Sequence, residues 1–405
     1  MFVSPAMRAT EAPPVMEARR WVEGATFPPD RPLINVSQAA PVDPPPAPLR
    51  AAMAEAVQSD PGAHLYGPVL GLPELRAEVA ARFSQAYGGR IAPDNVAITA
   101  GCNQAFTAAM ATLAAPGDEV ILPTPWYFNH KMWLDMTGLR TVALPPGPGL
   151  LPDPDEAARR ITPRSRAMVL VTPNNPAGVE YPPDIVAAFR DLARRHGLAL
   201  IVDETYRDFH AQEGPPHGLF ADPDWDDTVI QLYSFSKAYR LTGHRTGAIV
   251  ASRKRLEQVE KFLDTVAICA PQLGQRAALW GMRHLGDWLA AERREILDRR
   301  AAIAEVFERL APHGWALEGS GAYFAYVRHP FATPSDALAP ALVQAAGILC
   351  LPGTMFSPAG AGERHLRLAF ANIDRAGIAT LADRLAALTE DDVRVPPLAP
   401  AGTGA

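Results

Sequence analysis

Short runs in which almost every position is apolar recur through the middle of the chain. Stretches with an apolar residue at every third or fourth position separate them. The runs Val96–Thr99, Glu119–Leu122, Thr141–Leu144, Ala167–Val171, Leu198–Val202, Thr228–Leu232 and Gly247–Ala251 read as buried strands. Between them, Asn103–Ala114 and Asp184–His196 read as helices, stopped by Pro116-Gly117 and by Gly197. Such alternation predicts an α/β fold, a mostly parallel sheet with helices on both faces. From about Lys254 to Leu310 the period becomes that of long helices, and Tyr323–Val327 and His365–Phe370 then read as strands. This later part, with the N-terminal segment, predicts a smaller α+β domain. The expected division is an N-terminal segment over 1–45, a large domain over 46–290, a small domain over 291–392 and a disordered tail over 393–405. Five prolines within Pro41–Pro48 predict an extended linker.

Composition narrows the function. At 405 residues and 48% hydrophobic, the chain can bury two cores. A net charge of −6 gives no reason to expect nucleic acid or an anionic membrane as a partner. No apolar run approaches a membrane span, and the start Met-Phe-Val-Ser-Pro lacks the basic-then-apolar order of a secretory leader. Cys102, Cys269 and Cys350 are widely spaced, which predicts no metal site, no disulfide framework and a cytoplasmic location. A nicotinamide enzyme would need Gly-x-Gly-x-x-Gly after a strand, and none is found. About 40 residues precede the linker, without a helix-turn-helix pattern, so a fused DNA-binding regulator is not expected.

In a parallel sheet, ligands sit beyond the carboxyl ends of the strands. Gly101-Cys102-Asn103 opens a helix whose free N–H groups suit a phosphate, although a tight turn with an Asn cap explains it equally. Trp126-Tyr127-Phe128 is either a stacking surface for a flat ring or core filler. Asn175 lies in a turn-rich Thr-Pro-Asn-Asn-Pro loop. Asp203 ends a strand that is apolar throughout, where a carboxylate is expensive unless paired; a helix N-cap is the plain alternative. Only four of the 38 basic residues are lysine. Lys254 and Lys261 fall in a charged helix, Lys131 in a loop, and Lys237 alone adjoins a strand end, after Ser234 and Ser236 and eight residues before Arg245.

Taken together, these segments resemble the class I and II aminotransferases, the fold-type I enzymes of pyridoxal 5′-phosphate (PLP) that include aspartate aminotransferase. The likeness runs from about Pro41 to Ala371. It rests on Ser-Phe-Ser-Lys…Gly-His-Arg-Thr-Gly at 234–247, with Tyr66-Gly67, Asn175-Pro176-Ala177-Gly178, Asp203…Tyr206 and Arg367-Leu368-Ala369-Phe370 in order. The resemblance implies that Lys237 carries PLP as a Schiff base and then moves the substrate proton. Asp203 would pair with the pyridine nitrogen, supported by His130. Tyr206 and Asn175 would bind the ring oxygen, and Tyr127 would stack on the ring. The phosphate would rest on Gly101, Cys102, Asn103, Ser234, Ser236 and Arg245. Tyr66 would reach the phosphate of a second subunit, making a homodimer with shared sites. Arg367 would clamp the α-carboxylate, with Ala39 and Asn175 also at the substrate.

Two departures matter. Ala39 stands where the family often has glycine. No arginine precedes Ile268-Cys269-Ala270-Pro271, where the dicarboxylate-specific enzymes carry one. An amino group transferred between a neutral or aromatic L-amino acid and a 2-oxo acid is therefore expected. A PLP-dependent carbon–sulfur β-lyase is the alternative, since it would use the same Lys237 and Asp203.

Overall fold

The computed structural model describes residues 2–394. A two-residue strand, β1 (Ile34–Asn35), precedes the seven strands of the main sheet: β2 (Val96–Thr99), β3 (Glu119–Pro123), β4 (Arg140–Leu144), β5 (Ser165–Val171), β6 (Ala199–Asp203), β7 (Val229–Ser234) and β8 (Gly247–Val250). Their order is β2-β8-β7-β6-β5-β3-β4. Only β8 runs against its neighbours, pairing antiparallel with β2 and β7. Each expected strand is present, with ends moved by up to two residues.

Side-chain alternation explains why these runs are apolar at every position. Met168, Leu170, Leu200 and Val202 enter one hydrophobic cluster, while Val169, Ala199 and Ile201 enter another across the sheet. Helices such as Cys102–Leu113 and Pro183–His196 cover the two faces.

The chain then forms three helices, Arg253–Ala267, Gln272–His284 and Gly286–Leu310. The last crosses the boundary expected at residue 290. A second sheet follows: β9 (Ala316–Gly321), β10 (Phe324–Arg328), β12 (Leu351–Pro352) and β13 (His365–Leu368), all antiparallel, in the order β12-β13-β10-β9. Between them β11 (Ile348–Leu349) pairs in parallel with β1, which ties the N-terminal segment to this smaller unit. Its own cluster includes Ile34, Val36, Phe307, Leu342 and Leu381.

Three expectations need correction. The Pro-rich linker ends at Pro46, because Pro48 lies in the first turn of the helix Ala47–Ser59, where a missing N–H costs nothing. Lys131 is in the helix Phe128–Met136, not in a loop. Val393 is fully buried, so the ordered chain runs past residue 393, and the rest of the expected tail (395–405) lies outside the described residues.

Candidate active site

A cavity of about 330 Å³ opens at the carboxyl ends of the parallel strands. Val171 ends β5, Asp203 ends β6 and Ser234 ends β7, and all three line it. The four-residue helix Phe235–Ala238 carries Ser236 and Lys237 into the same space. Cys102 and Asn103 enter from the first turn of the helix after β2. Ala39, Tyr127, Asn175, Tyr206, Arg245 and Arg367 complete the group. Residues 330 positions apart in sequence thus share one wall: Arg367 donates through Nη2 to the Ser37 carbonyl and through Nη1 to Asn175 Oδ1 at 3.0 Å.

The lysines separate as the strand-end argument requires. Lys131 is paired with Asp135 at 2.6 Å, and Lys261 bonds Gln258 on the surface. Lys237 Nζ donates to the Ala39 carbonyl at 2.7 Å. Burial, with the nearby Arg245 and Arg367 charges, pushes its amine down to about 8.

Asp203 is 3% exposed and well supplied with partners. Its Oδ1 accepts from the Thr205 amide at 3.0 Å, from the Thr205 hydroxyl at 2.7 Å and from Cys102 Sγ at 3.6 Å. His130 Nε2 lies 3.2 Å from Oδ2, and the imidazole stacks on Phe106. Burial pushes the carboxyl up, but the His130 and Thr205 contacts outweigh it, so Asp203 titrates below the usual carboxylate range.

Arg367 is 1% exposed and pairs with no carboxylate among the described residues. Burial lowers its pKa to about 10. Arg245 likewise has no carboxylate partner there; its Nη1 reaches the Thr242 carbonyl at 3.1 Å and Ser236 Oγ at 3.4 Å. The cavity therefore holds three cations against one carboxylate, which suits an anionic guest.

The match to a phosphate can be tested on the backbone. Gly101 has φ +87°, and a Cβ there would fall 2.1 Å from Arg245 Nη2. A Cβ at Gly247 would fall 2.7 Å from the Cys102 amide nitrogen. Both glycines keep open the space between a guanidinium and the N-terminus of a 12-residue helix. The hydroxyls of Ser234 and Ser236, which accept from the Ser236 amide and from Arg245 and keep their own protons to donate, adjoin it. This donor set, with an amine of lowered pKa nearby, fits PLP.

The matching family model is that of the class I and II aminotransferases, over residues 31–385. The chain belongs to this family. This aminotransferase is 29% identical to an aromatic aminotransferase of Arabidopsis thaliana, with 80% of this chain and 82% of that one covered. It is 30% identical to a probable aspartate/prephenate aminotransferase of Thermus aquaticus (76% and 79% covered) and to a valine–pyruvate aminotransferase of Mycobacterium tuberculosis (84% and 87% covered). Its fold matches the Thermus thermophilus aspartate aminotransferase with maleate, at a TM-score of 0.86 and 24% identity, over 95% of this chain and 99% of that one. The enzyme is thus a PLP-dependent transaminase of amino acids and oxo acids. The relatives named are all aminotransferases, which gives the β-lyase alternative no support.

Of the residues singled out in the sequence, Tyr66 is not in this cavity: it is 79% exposed. Gly101 does not line it either: its amide bonds the Thr99 carbonyl, and it contributes by lacking a side chain beside Arg245. Thr205, Gln38, Pro13 and Val15 were missed. Thr205 had a signal, since a hydroxyl two residues after an Asp is an Asx-turn pattern. Pro13 and Val15 had none, because their approach depends on how the N-terminal helix Pro14–Arg20 docks.

Proposed function

We propose that this transaminase moves the amino group of a neutral or aromatic L-amino acid to a 2-oxo acid, in the cytoplasm and as a homodimer. The observation that carries the reading is the meeting of Lys237, Asp203, Arg245 and an unneutralised Arg367 in one cavity. Bound PLP supplies an aldehyde for amines and a ring that withdraws electrons from the substrate Cα. Arg245, Ser234, Ser236 and the amides of Cys102 and Asn103 would hold its phosphate, with Gly101 giving the room for its approach while its own amide bonds the Thr99 carbonyl. Asp203, braced by His130 and Thr205, would keep the ring nitrogen protonated; Tyr127 would cover the ring, and Tyr206 with Asn175 would hold the ring oxygen. Lys237 gives and takes the proton at Nζ, a task its low pKa suits. Arg367 presents parallel N–H groups to the α-carboxylate and so orients the Cα–H bond.

The substrate class is supported by what the remaining wall lacks. Among the described residues Lys237, Arg245 and Arg367 are the cations lining the cavity, and each has a task, so this chain offers a side-chain carboxylate no further cation there. Pro13, Val15, Ala39 and Phe128 supply apolar surface instead.

The dimer is supported by exposed apolar side chains. Leu65 and Tyr66 are 65% and 79% exposed, Val266 and Ile268 57% and 39%. The Gly67 amide, 3.5 Å from Cys269 Sγ, brings the two segments together as one patch.

A panel of amino donors against several 2-oxo acids, with both products measured, tests the reading. Paired products from neutral or aromatic donors are expected. Strict preference for aspartate would overturn the substrate class; ammonia and pyruvate from a cysteine conjugate, with no oxo acid needed, would overturn the transfer.

A further inference from the structure

Residues 203–208 have two faces. Asp203, Thr205 and Tyr206 line the cavity. Glu204, Arg207 and Asp208 turn the other way, into a polar cluster that is buried at Glu204, half-buried at the other two, and has no part in the chemistry above. Glu204 is fully buried. Its Oε2 accepts from the Tyr87 hydroxyl at 2.5 Å and from Gln231 Nε2, and lies 3.3 Å from His217 Nε2. Oε1 has no partner. The His217 ring stacks on Tyr87 at 4.6 Å, and the Arg207 guanidinium lies over Phe83 and Tyr87 at 4.2 and 4.6 Å. Asp208 accepts from the Tyr233 hydroxyl at 2.8 Å. Burial pushes the Glu204 carboxyl up, but the His217 and Arg207 charges and the Tyr87 hydroxyl hold it down to about 2, so it stays ionised.

Buried charges of this kind stabilise a fold less than apolar side chains of the same volume would. Here the apolar alternative is close by, since Phe83, Phe220 and Val229 belong to the surrounding cluster. What the charges supply is direction. Gln231 and Tyr233 sit on β7 three residues and one residue before Ser234, and Tyr87 ends the helix Pro73–Tyr87. Glu204 and its neighbours therefore fasten the ends of β6 and β7 to that helix from behind.

We propose that Glu204 is a positioning residue, whose buried carboxylate fixes the turn that presents Asp203 and Tyr206 to the cavity. The proposal rests on the roles given above to those two residues. Its effect falls on chemistry rather than on substrate capture, because Arg367 stands on β13 in the other sheet.

Glu204→Gln and Tyr87→Phe, each loaded with PLP, test this beside the wild type. Both should lower kcat about tenfold or more, as small misplacements of reacting groups do, and leave KM within about twofold. Both should also raise the pH midpoint of the cofactor's visible absorbance. A looser Asp203 retains less positive charge in the cavity, and a nitrogen there is then protonated at higher pH. Glu119→Gln is the control: this carboxylate, at the far end of β3, bonds Thr162 and should affect thermal stability only. A kcat within about twofold of wild type with an unmoved midpoint, however far the melting temperature falls, overturns the proposal. If Glu204→Gln fails to fold, Tyr87→Phe decides by the same readings. A wild type without transaminase activity overturns the functional reading alone, and the midpoint still decides the role of Glu204.

Discussion

Arg367, buried, and Lys237, half-buried, are cations of one cavity, and the guanidinium helps to hold the amine at about 8. A carboxylate docked on Arg367 would cancel that influence. Substrate binding and lysine basicity are therefore linked: the group that must take a proton gains affinity for it when the α-carboxylate arrives. Saturating the PLP-loaded enzyme with a simple monocarboxylate should move the pH midpoint of the visible absorbance upward. Arg367→Ala should already show a raised midpoint, respond little to the carboxylate, and bind amino acids about tenfold or more weakly, as loss of a charge-assisted pair implies. A midpoint indifferent to both changes would separate the two residues.

The low pKa of Lys237 has a consequence for loading. Only the neutral amine attacks a carbonyl. At pH 7 a lysine titrating near 8 is neutral in roughly one molecule in ten, against about one in three thousand for an ordinary lysine. The rate at which cofactor-free enzyme captures PLP should rise about tenfold per pH unit below about 7 and level off above about 8. A rate still rising steeply beyond about pH 9 would mean that the amine is not depressed. Lys237→Ala should remove the visible absorbance and nearly all turnover.

Asp203 makes a separable contribution. The phosphate donors do not depend on its charge, so Asp203→Ala should retain some PLP at equilibrium. It should nevertheless lose turnover by at least about a hundredfold, because the ring would lose the partner that keeps its nitrogen protonated. Titration of bound PLP against measured kcat distinguishes the two effects. Full activity with full occupancy would remove Asp203 from the chemistry.

Most of this site could be read before folding, for a physical reason. Strands buried on both faces are apolar throughout, so β5, β6 and β7 stood out, and a parallel sheet delivers whatever follows its strands to one rim. That placed Asn175, Asp203, Ser234 and Lys237 together. Arg367 lies on an antiparallel strand of another sheet, and only its motif, not its periodicity, tied it to the cavity. What escaped depends on docking between distant segments. Pro13 and Val15 reach the cavity from a short N-terminal helix, and Glu204 gave no sign that Tyr87, 117 positions earlier, was its partner. Strand ends moved by a residue or two, as they do where turn hydrogen bonds compete with the ladder.

Tyr66 provides the last test, because its hydroxyl is too exposed in one chain to serve that chain's own cavity. If it crosses to the phosphate of a second subunit, losing it should weaken PLP retention about tenfold or more, the usual cost of a hydrogen bond to a charged acceptor. Mixing defective subunits tells whose site is affected. Tyr66→Phe subunits keep Lys237, and Lys237→Ala subunits keep Tyr66. In a mixed dimer with crossed contacts, one site has an intact Lys237 from the first subunit and an intact Tyr66 from the second. That site should retain PLP as the wild type does, so excess Lys237→Ala subunits should restore tight binding to the Tyr66→Phe subunit. Restoration requires both the dimer and the crossing; if Tyr66 served its own subunit, every site with a working lysine would keep the defect.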